Sequence, residues 1–589
     1  YQEAVDAYDE ALRVRPDEYR GHNNRANALY ALRRFEESAA ACRRALEIDP
    51  DGPQAYANLG SALKEMGQFG NEAIKSFRRA LALDPDSPQA QNNLGVALQD
   101  AKLFQEALQA MQRAIALNPN LPEAHYNLGV THQALGNGQK AVAAFGRAIE
   151  LKPDYPEAYY NLGIALKATG DNDAAMAAYR EAIRVDPNSA QSYNNLGVTL
   201  TDAGRIGEAT EMLRKAIELQ PDYSEAHYNL GIALKVTGGL DAAIASYRKA
   251  IEFAPNSPRA LSNLGVSLME TGLLEEALAC FRKAIALNPD FAIAHSNLVY
   301  TMYFAHGYDC KALYEEHVSW ARHHAPPMKK HIRPHDNDRS PGKRLRIGYV
   351  SPDFRLHPVG RFLLPLLAHH DHENFEIIAY SSVAKPDAFT KRLRAEVDVW
   401  HDITALNDLE AVEKIRQDGV DILIDLTMHM SHNRMPLFCA KPAPVQASYL
   451  AILGTTGLDT MDYRISDPYV DPPPESDEYF TEKTWRLAHS CWCFEPLIMS
   501  PPVSELPALS SGTVTFGCFN NFAKSTLPTL QLWASLLQSL PNSQIAIHAN
   551  PGKHQIRLLE IFAAAGVSQE RVRFFGSTGL EDYLAQYGQ

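Results

Sequence analysis

Three short stretches carry side chains whose types and spacing suit the transfer of a group onto a hydroxyl. In Ser351-Pro-Asp353-Phe-Arg-Leu-His357-Pro358 a carboxylate and an imidazole stand four residues apart, a pair able to orient or deprotonate a hydroxyl. In Met428-His429-Met430-Ser-His432-Asn433-Arg434 the arginine could pair with a phosphate or an acidic side chain. Phe519-Asn520-Asn521-Phe522-Ala523-Lys524 ends on a lysine, a point charge suited to a diphosphate leaving group. A lone loop histidine or lysine says little by itself. The set gains weight because each member follows a short apolar run.

Those runs are the elements that must hold the residues in place. From Leu345 onward LRIGYVS, FEIIAYSS, VDILIDLT, VQASYLAI and MDYRISD read as buried strands, separated by helical segments such as AFTKRLRAEV and LEAVEKIRQDG. That alternation describes a parallel sheet covered on both faces. A proline-rich connector, DPYVDPPPESDEYF, leads to further strands in TVTFGCFNN, QIAIHAN and RVRFFGS. Two Rossmann-like halves facing a cleft are expected, with ligands beyond the carboxyl ends of the strands, where the candidate residues stand.

The first half of the chain has a different rhythm. YANLGSAL, QNNLGVAL, HYNLGVTH, YYNLGIAL and YNNLGVTL repeat one frame, and its asparagine falls at 24, 58, 93, 127, 161, 195, 229, 263 and 297, a period of 34 broken once by one extra residue in GQFGNEA. A 34-residue period is that of the tetratricopeptide repeat, a helix-turn-helix unit. Within one copy, Tyr159, Leu162, Gly163 and Leu166 follow helical spacing, Gly170 and Asp171 mark the turn, and Ala175, Tyr179 and Ala182 form a second stripe closed by Pro187. Such units bury their stripes by stacking into a right-handed superhelix with a concave face. Asparagine is a mediocre helix former, so its recurrence beside the packing leucine implies a use: either a helix-to-helix hydrogen bond copied from repeat to repeat, or a ladder of amides that grips an extended polypeptide backbone.

The rhythm stops after Asn297. The stretch YDCKALYEEHVSWARHHAPPMKKHIRPHDNDRSPGKR reads as a helix and then a basic, proline-marked linker. Its histidines lack carboxylates or cysteines at regular spacing, so solvated surface is expected there rather than a metal site. Seven scattered cysteines without CxxC spacing fit reduced thiols. A net charge of -14 and a pI near 5.8 argue against a nucleic-acid binder, which carries a basic stripe. Neither a membrane span nor an export signal is legible, so no membrane partner and a cytoplasmic location are expected, with the nucleus open in a eukaryote.

The repeats, with their NLG asparagine, resemble the arrays of the protein O-GlcNAc transferase and SPINDLY-type family. LRIGYVSPDFRLHPVG, AKPAPVQASYL, GTTGLDTMDYRISDPY and VTFGCFNNFAK resemble that family's catalytic region, over roughly residues 343 to 589. The resemblance implies a tetratricopeptide superhelix over 1–306, a helical segment and linker over 307–342, and a GT-B glycosyltransferase made of an N-terminal Rossmann-like lobe over 343–505 and the start of a donor-binding lobe over 506–589. It implies an inverting enzyme that moves GlcNAc from UDP-GlcNAc to Ser or Thr of proteins, with the nucleotide sugar as co-substrate and no metal or other cofactor. His357 matches the active-site histidine, Asp353 a neighbouring aspartate proposed in proton handling, and Lys524 the lysine on the diphosphate. Asn521 stands where some members have a diphosphate-binding glutamine. Gly454, Thr455 and Thr456 match a loop lining the sugar and donor site, and His429 and Arg434 fall in the sugar and acceptor pocket region. Asn127, Asn161, Asn195, Asn229 and Asn263 would hold protein or peptide acceptors in the repeat groove.

The departures point to one branch of the family. AILGTTG stands where animal members read GYPGTSG, and Val359 and Arg361 replace a threonine and a second histidine. YSSVAKPDAFTKR and FNNFAK resemble SPINDLY-type members, some of which use GDP-fucose, so protein O-fucosyl transfer is the alternative. The missing partner helix before Tyr1, and family sequence expected after Gln589, imply a fragment at both ends with a partial donor site. A non-catalytic tetratricopeptide scaffold is the rival from another class, and a transferase acting on lipids or glycans would give the asparagine ladder no purpose. Convex tetratricopeptide faces often self-associate, which leaves a homodimer through the repeats open.

Overall fold

The computed structural model describes residues 1–67, 71–472, 477–495, 504–576 and 580–588. The extra residue of GQFGNEA and part of the proline-rich connector lie outside the described residues. The chain divides into two compact units, Tyr1–Ala233 and Leu234–Gln589.

The first unit is a tetratricopeptide superhelix of paired helices, among them Pro122–Ala134 with Gly138–Leu151 and Pro156–Ala168 with Asn172–Val185. The sequence sets these boundaries locally. Proline occupies the first turn of Pro156–Ala168, where its missing N–H costs nothing. Gly170 takes φ +88° in the turn, and the Asp171 carboxylate caps the next helix by accepting from the Ala174 N–H at 3.0 Å. Paired helices meet at the glycine of the NLG frame: a Cβ on Gly163 would lie 2.6 Å from the Tyr179 ring, and one on Gly129 2.6 Å from Phe145. Tyr179 and Phe145 are fully buried there, so the glycine is the room that a core aromatic occupies.

The second unit opens with more helices of the same kind, Leu240–Phe253, Pro258–Glu270, Leu274–Leu287 and Ala292–Met302. Helix Cys310–His324 follows, and then the first sheet. Its strands are β1 (Leu345–Ser351), β2 (Phe375–Ser381), β3 (Val399–Asp402), β4 (Ile422–Asp425), β5 (Val445–Ser448), β6 (Tyr463–Ser466) and β7 (Lys483–Arg486), all parallel in the order β3-β2-β1-β4-β5-β6-β7. Alternate residues enter different cores: Ile377 and Ala379 of β2 join Tyr349 and Leu363 on one face, while Ile378 and Tyr380 join Leu423 and Trp320 on the other. Both faces are therefore covered, as a parallel sheet requires. A second sheet holds β8 (Val514–Cys518), β9 (Ser543–His548) and β10 (Val572–Phe575), parallel in the order β10-β9-β8.

Trp320 packs into the core of the first sheet together with histidines expected at the surface. It lies on the helix that leads into the linker, and His317, Trp320 and His324 share one face of that helix at i, i+3 and i+7. All three are buried, so His317 and His324 are not solvated surface. They pack with His295 of the last repeat helix and His429, through His295 Nδ1 to His324 Nε2 at 3.0 Å and ring centroids 4.8 Å apart for His317 and His429. Among the described residues no group of three or more His, Cys, Asp or Glu is arranged to hold a metal ion. No helix among them is long and apolar enough to cross a membrane.

Candidate active site

The strand order reverses between β1 and β4, and at such a switch point the loops diverge and open a crevice. A cavity of about 440 Å3 opens at the strand ends there, lined from the β1 loop by Asp353, Arg355 and His357, from the β2 loop by Ser382 and Lys385, and from the β4 loop by His432. Tyr300, on the last repeat helix, completes a wall.

The β1 loop is built tightly. Ser351 Oγ accepts from the Asp353 N–H at 2.9 Å, and Leu356 N–H donates to Asp387 Oδ2 at 2.9 Å, tying this loop to the one after β2. His357 caps helix Pro358–Ala368, its Nδ1 accepting from the Val359 N–H at 3.3 Å. Gly360 makes the close approach feasible: a Cβ there would lie 2.3 Å from the Arg355 carbonyl oxygen. Asp353 is 6 % exposed. Its Oδ1 receives Arg355 at 3.1 Å, and its Oδ2 lies 3.6 Å from His357 Nδ1, too far for a hydrogen bond and near enough for charge to matter. Burial pushes the His357 pKa below its ordinary value, with Asp353 opposing the shift and Arg355 adding to it.

The β4 loop turns under Asp425. This fully buried carboxyl accepts from the N–H groups of Thr427 and Met428 at 3.0 and 2.9 Å, and burial raises its pKa to about 6 against those two bonds. Met428 and His432 both take positive φ, +48° and +61°. The loop consequently buries His429 and presents His432. His429 is 1 % exposed, its Nδ1 3.2 Å from Ser296 Oγ, and it belongs to the histidine cluster rather than to the cavity wall. Arg434 is likewise committed elsewhere, with Nε 2.6 Å from Asp408 Oδ1 and Nη2 donating to the Leu406 carbonyl at 3.0 Å.

The loop of Gly454, Thr455 and Thr456 is closed on itself. Thr455 Oγ1 donates to Glu482 Oε2 at 2.6 Å, the Thr456 N–H donates to Glu482 Oε1 at 2.6 Å, and the Thr456 hydroxyl donates to the same oxygen. Gly454 sits against Tyr303, whose hydroxyl a Cβ would strike. Glu482 was not among the residues singled out by sequence, because no local motif marks a carboxylate that organises a loop 26 residues earlier.

In the second sheet lobe, Asn521 Oδ1 accepts from the Ala523 N–H at 3.0 Å and caps the single turn Phe522–Lys524. Lys524 is exposed and has no ion-pair partner among the described residues. Phe522 is buried beneath it, its ring 4.8 Å from that of His554. Repeat helices clasp this region: Arg557 donates to the Thr271 carbonyl at 2.6 Å, and the Lys553 N–H donates to Asp241 Oδ2 at 2.7 Å.

The asparagines of the repeats are half-buried and engaged with the repeat before them. Asn127 Nδ2 donates to Asn92 Oδ1 at 3.0 Å, Asn161 to the Tyr126 hydroxyl at 2.9 Å, Asn195 to the Tyr160 hydroxyl at 3.1 Å and Asn229 to Asn194 Oδ1 at 2.9 Å. Asn263 is half-buried on helix Pro258–Glu270. The helix-to-helix bond weighed from sequence is therefore present, and it uses the amide N–H of each of the four.

Residues 294–505 match the model of glycosyl transferase family 41, and tetratricopeptide repeat models match 1–53, 58–122, 126–190, 194–258 and 258–291. A tomato (Solanum lycopersicum) protein named probable UDP-N-acetylglucosamine--peptide N-acetylglucosaminyltransferase SPINDLY is 39 % identical over 277 residues, 46 % of this chain and 29 % of that protein. The Arabidopsis thaliana protein of the same activity named SEC is 30 % identical over 242 residues, 39 % of this chain and 25 % of that protein. The match thus spans under a third of the length of these curated relatives. Among solved structures, a variant of the Thermobaculum terrenum O-GlcNAc transferase superposes with a TM-score of 0.55 and 32 % identity, covering 74 % of this chain and 76 % of that one.

Proposed function

We propose a function from one premise: the chain belongs to the O-GlcNAc transferase family. Its activity is the transfer of GlcNAc from UDP-GlcNAc to Ser or Thr hydroxyls of protein acceptors, with inversion at the anomeric carbon. The observation that carries this is the Asp353–His357 pair in a cavity of about 440 Å3 at the switch point of a parallel sheet.

In the reaction the acceptor oxygen forms a bond to the anomeric carbon while the bond from that carbon to the diphosphate oxygen breaks. The nucleotide diphosphate leaves with the bonding pair, and Lys524, an exposed cation just past a strand end, stabilises its growing charge. His357 handles the hydroxyl. With Nδ1 accepting from the Val359 N–H, the neutral ring carries its proton on Nε2 and acts as a donor that orients an oxygen. A small rotation that exchanges this bond for one to Asp353 favours the other tautomer, reached when Nε2 gives its proton to water and Nδ1 takes one from water, and this frees the Nε2 lone pair to take the hydroxyl proton.

The same reading assigns residues 1–306 to acceptor capture, 307–342 to the linker, 343–505 to the acceptor-side lobe and 506–589 to the start of the donor-binding lobe. Asn521, Gly454, Thr455 and Thr456 support the donor side, the last three through the loop held by Glu482. The amide oxygens of Asn127, Asn161 and Asn229 would accept from an acceptor backbone, whereas that of Asn195 already accepts from Asn194 Nδ2 at 3.3 Å. The test is mass spectrometry of a peptide library incubated with the full chain and either UDP-GlcNAc or GDP-fucose. A HexNAc mass gain from the first donor supports the reading; a deoxyhexose gain from the second replaces the sugar; peptide binding without either gain favours a scaffold.

A further inference from the structure

Three neighbouring strands, β2, β1 and β4, each deliver basic side chains to one cavity: Lys385 after β2, Arg355 and His357 after β1, and His432 after β4. The carboxylate in the wall is Asp353, already engaged by Arg355 at 3.1 Å. Asp387, two residues beyond Lys385, is spent on the N–H groups of Leu356 and Thr390 at 2.9 and 2.8 Å. It thereby fixes the β2 loop against the β1 loop instead of neutralising Lys385. Lys385 and His432 are both exposed, and neither has an ion-pair partner among the described residues. The rim is thus basic although the chain as a whole carries a formal charge of -14. Beside the basic side chains the wall mixes apolar surface from Tyr300, Ala384 and Met430, which would pack against aliphatic stems, with the hydroxyls of Ser382 and Ser431.

We propose that Lys385 and His432 form an acceptor subsite for acidic side chains flanking the hydroxyl that receives the sugar, so that the protein selects acidic acceptor segments. This rests on the reading that the donor diphosphate is held in the second lobe beside Lys524, which leaves the cations of the first lobe to the acceptor. A long, flexible ammonium and an exposed imidazole on separate loops accept a carboxylate at variable distance, so they select charge rather than one residue.

The test uses two peptides that share one Ser/Thr centre and differ in flanking glutamates or lysines, measured with the full chain by fluorescence anisotropy and by transfer kinetics. The wild type binds the glutamate peptide about tenfold more tightly at low salt, with the margin shrinking as salt screens it. Lys385→Glu inverts that order through the acceptor Kd and KM, and His432→Glu, on a different loop, shifts it in the same direction. Equal weakening of both peptides, or an effect confined to the donor KM, overturns the acidic subsite and moves Lys385 to the donor side. Transfer to neither peptide by the wild type sinks the transferase reading, while the anisotropy arm still decides the charge preference.

Discussion

At the scale of single residues, the chemistry turns on which nitrogen of His357 carries the proton. The Val359 N–H holds Nδ1 as an acceptor, and Asp353 Oδ2 waits 3.6 Å away as the alternative partner. Burial, the largest influence, lowers the histidine pKa, and the Asp353 charge opposes that shift. The neutral, reactive ring therefore persists as pH falls through the ordinary histidine value, and the acid limb of kcat/KM is expected below 6.5. Asp353→Asn removes the opposing charge, so the limb should move to still lower pH while kcat drops; a limb that moves upward would place Asp353 outside this pairing. Asp353 and His357 could be read from sequence because they are four residues apart on one loop. Lys385, His432 and Tyr300 could not, since the strand order β2-β1-β4 and the packing of a repeat helix bring them there. His429 and Arg434 sit in the same motif as His432, and only the positive φ at Met428 and His432 decides which of them meets the cavity.

At the scale of elements, the repeat asparagine makes the helix-to-helix bond that its periodicity raised, and gripping an acceptor is its proposed second use. Its N–H group ties each of the four repeats to the one before, and at Asn161 the amide oxygen is the group proposed to meet a ligand. Two substitutions separate these uses at one step of the ladder. Tyr126→Phe removes the hydroxyl that accepts from Asn161 at 2.9 Å but keeps the amide, whereas Asn161→Ala removes both. Each should cost about 1 kcal/mol of unfolding free energy, the usual net worth of such a bond, but only Asn161→Ala should weaken acceptor binding. Equal losses of binding would mean that the ladder shapes the array and touches nothing else. The strands legible in sequence were those with dense apolar runs, five in the first sheet and three in the second. The edge strands β3 and β7 were not, because VWHD and KTWR are short, carry charged or polar residues and lie partly exposed, which gives them the pattern of loop as much as of strand.

At the scale of the whole molecule, the second unit is joined through a core of histidines in which His317 and His429 must stay neutral. His317 is fully buried and pushed down to about 3 by burial, and His429 is driven well below its ordinary 6.5 by burial and the neighbouring histidines. Around them stand His295, His324, the Tyr303 hydroxyl and the partly exposed Glu316. Because the folded-state values lie below the unfolded ones, the stabilisation is complete above pH 6.5 and is lost as pH falls from there toward the folded values, by about 1.4 kcal/mol per pH unit for each such histidine. Chemical denaturation followed from pH 7 to pH 5 should show this slope, and His317→Phe should flatten it; a stability independent of pH across that range would contradict the buried neutral cluster. Repeat helices also clasp the second sheet lobe through Asp241 and Thr271, so the turn that carries Lys524 rests on the repeat array. The measurement that bears most directly on the proposed transferase is the rate of sugar transfer at saturating donor and peptide, wild type against His357→Ala, with peptide affinity read alongside. A fall of roughly 10²–10⁴-fold in kcat with peptide Kd unchanged is the expected result. Transfer at the wild-type rate in the variant would place the chemistry somewhere other than the Asp353–His357 cavity.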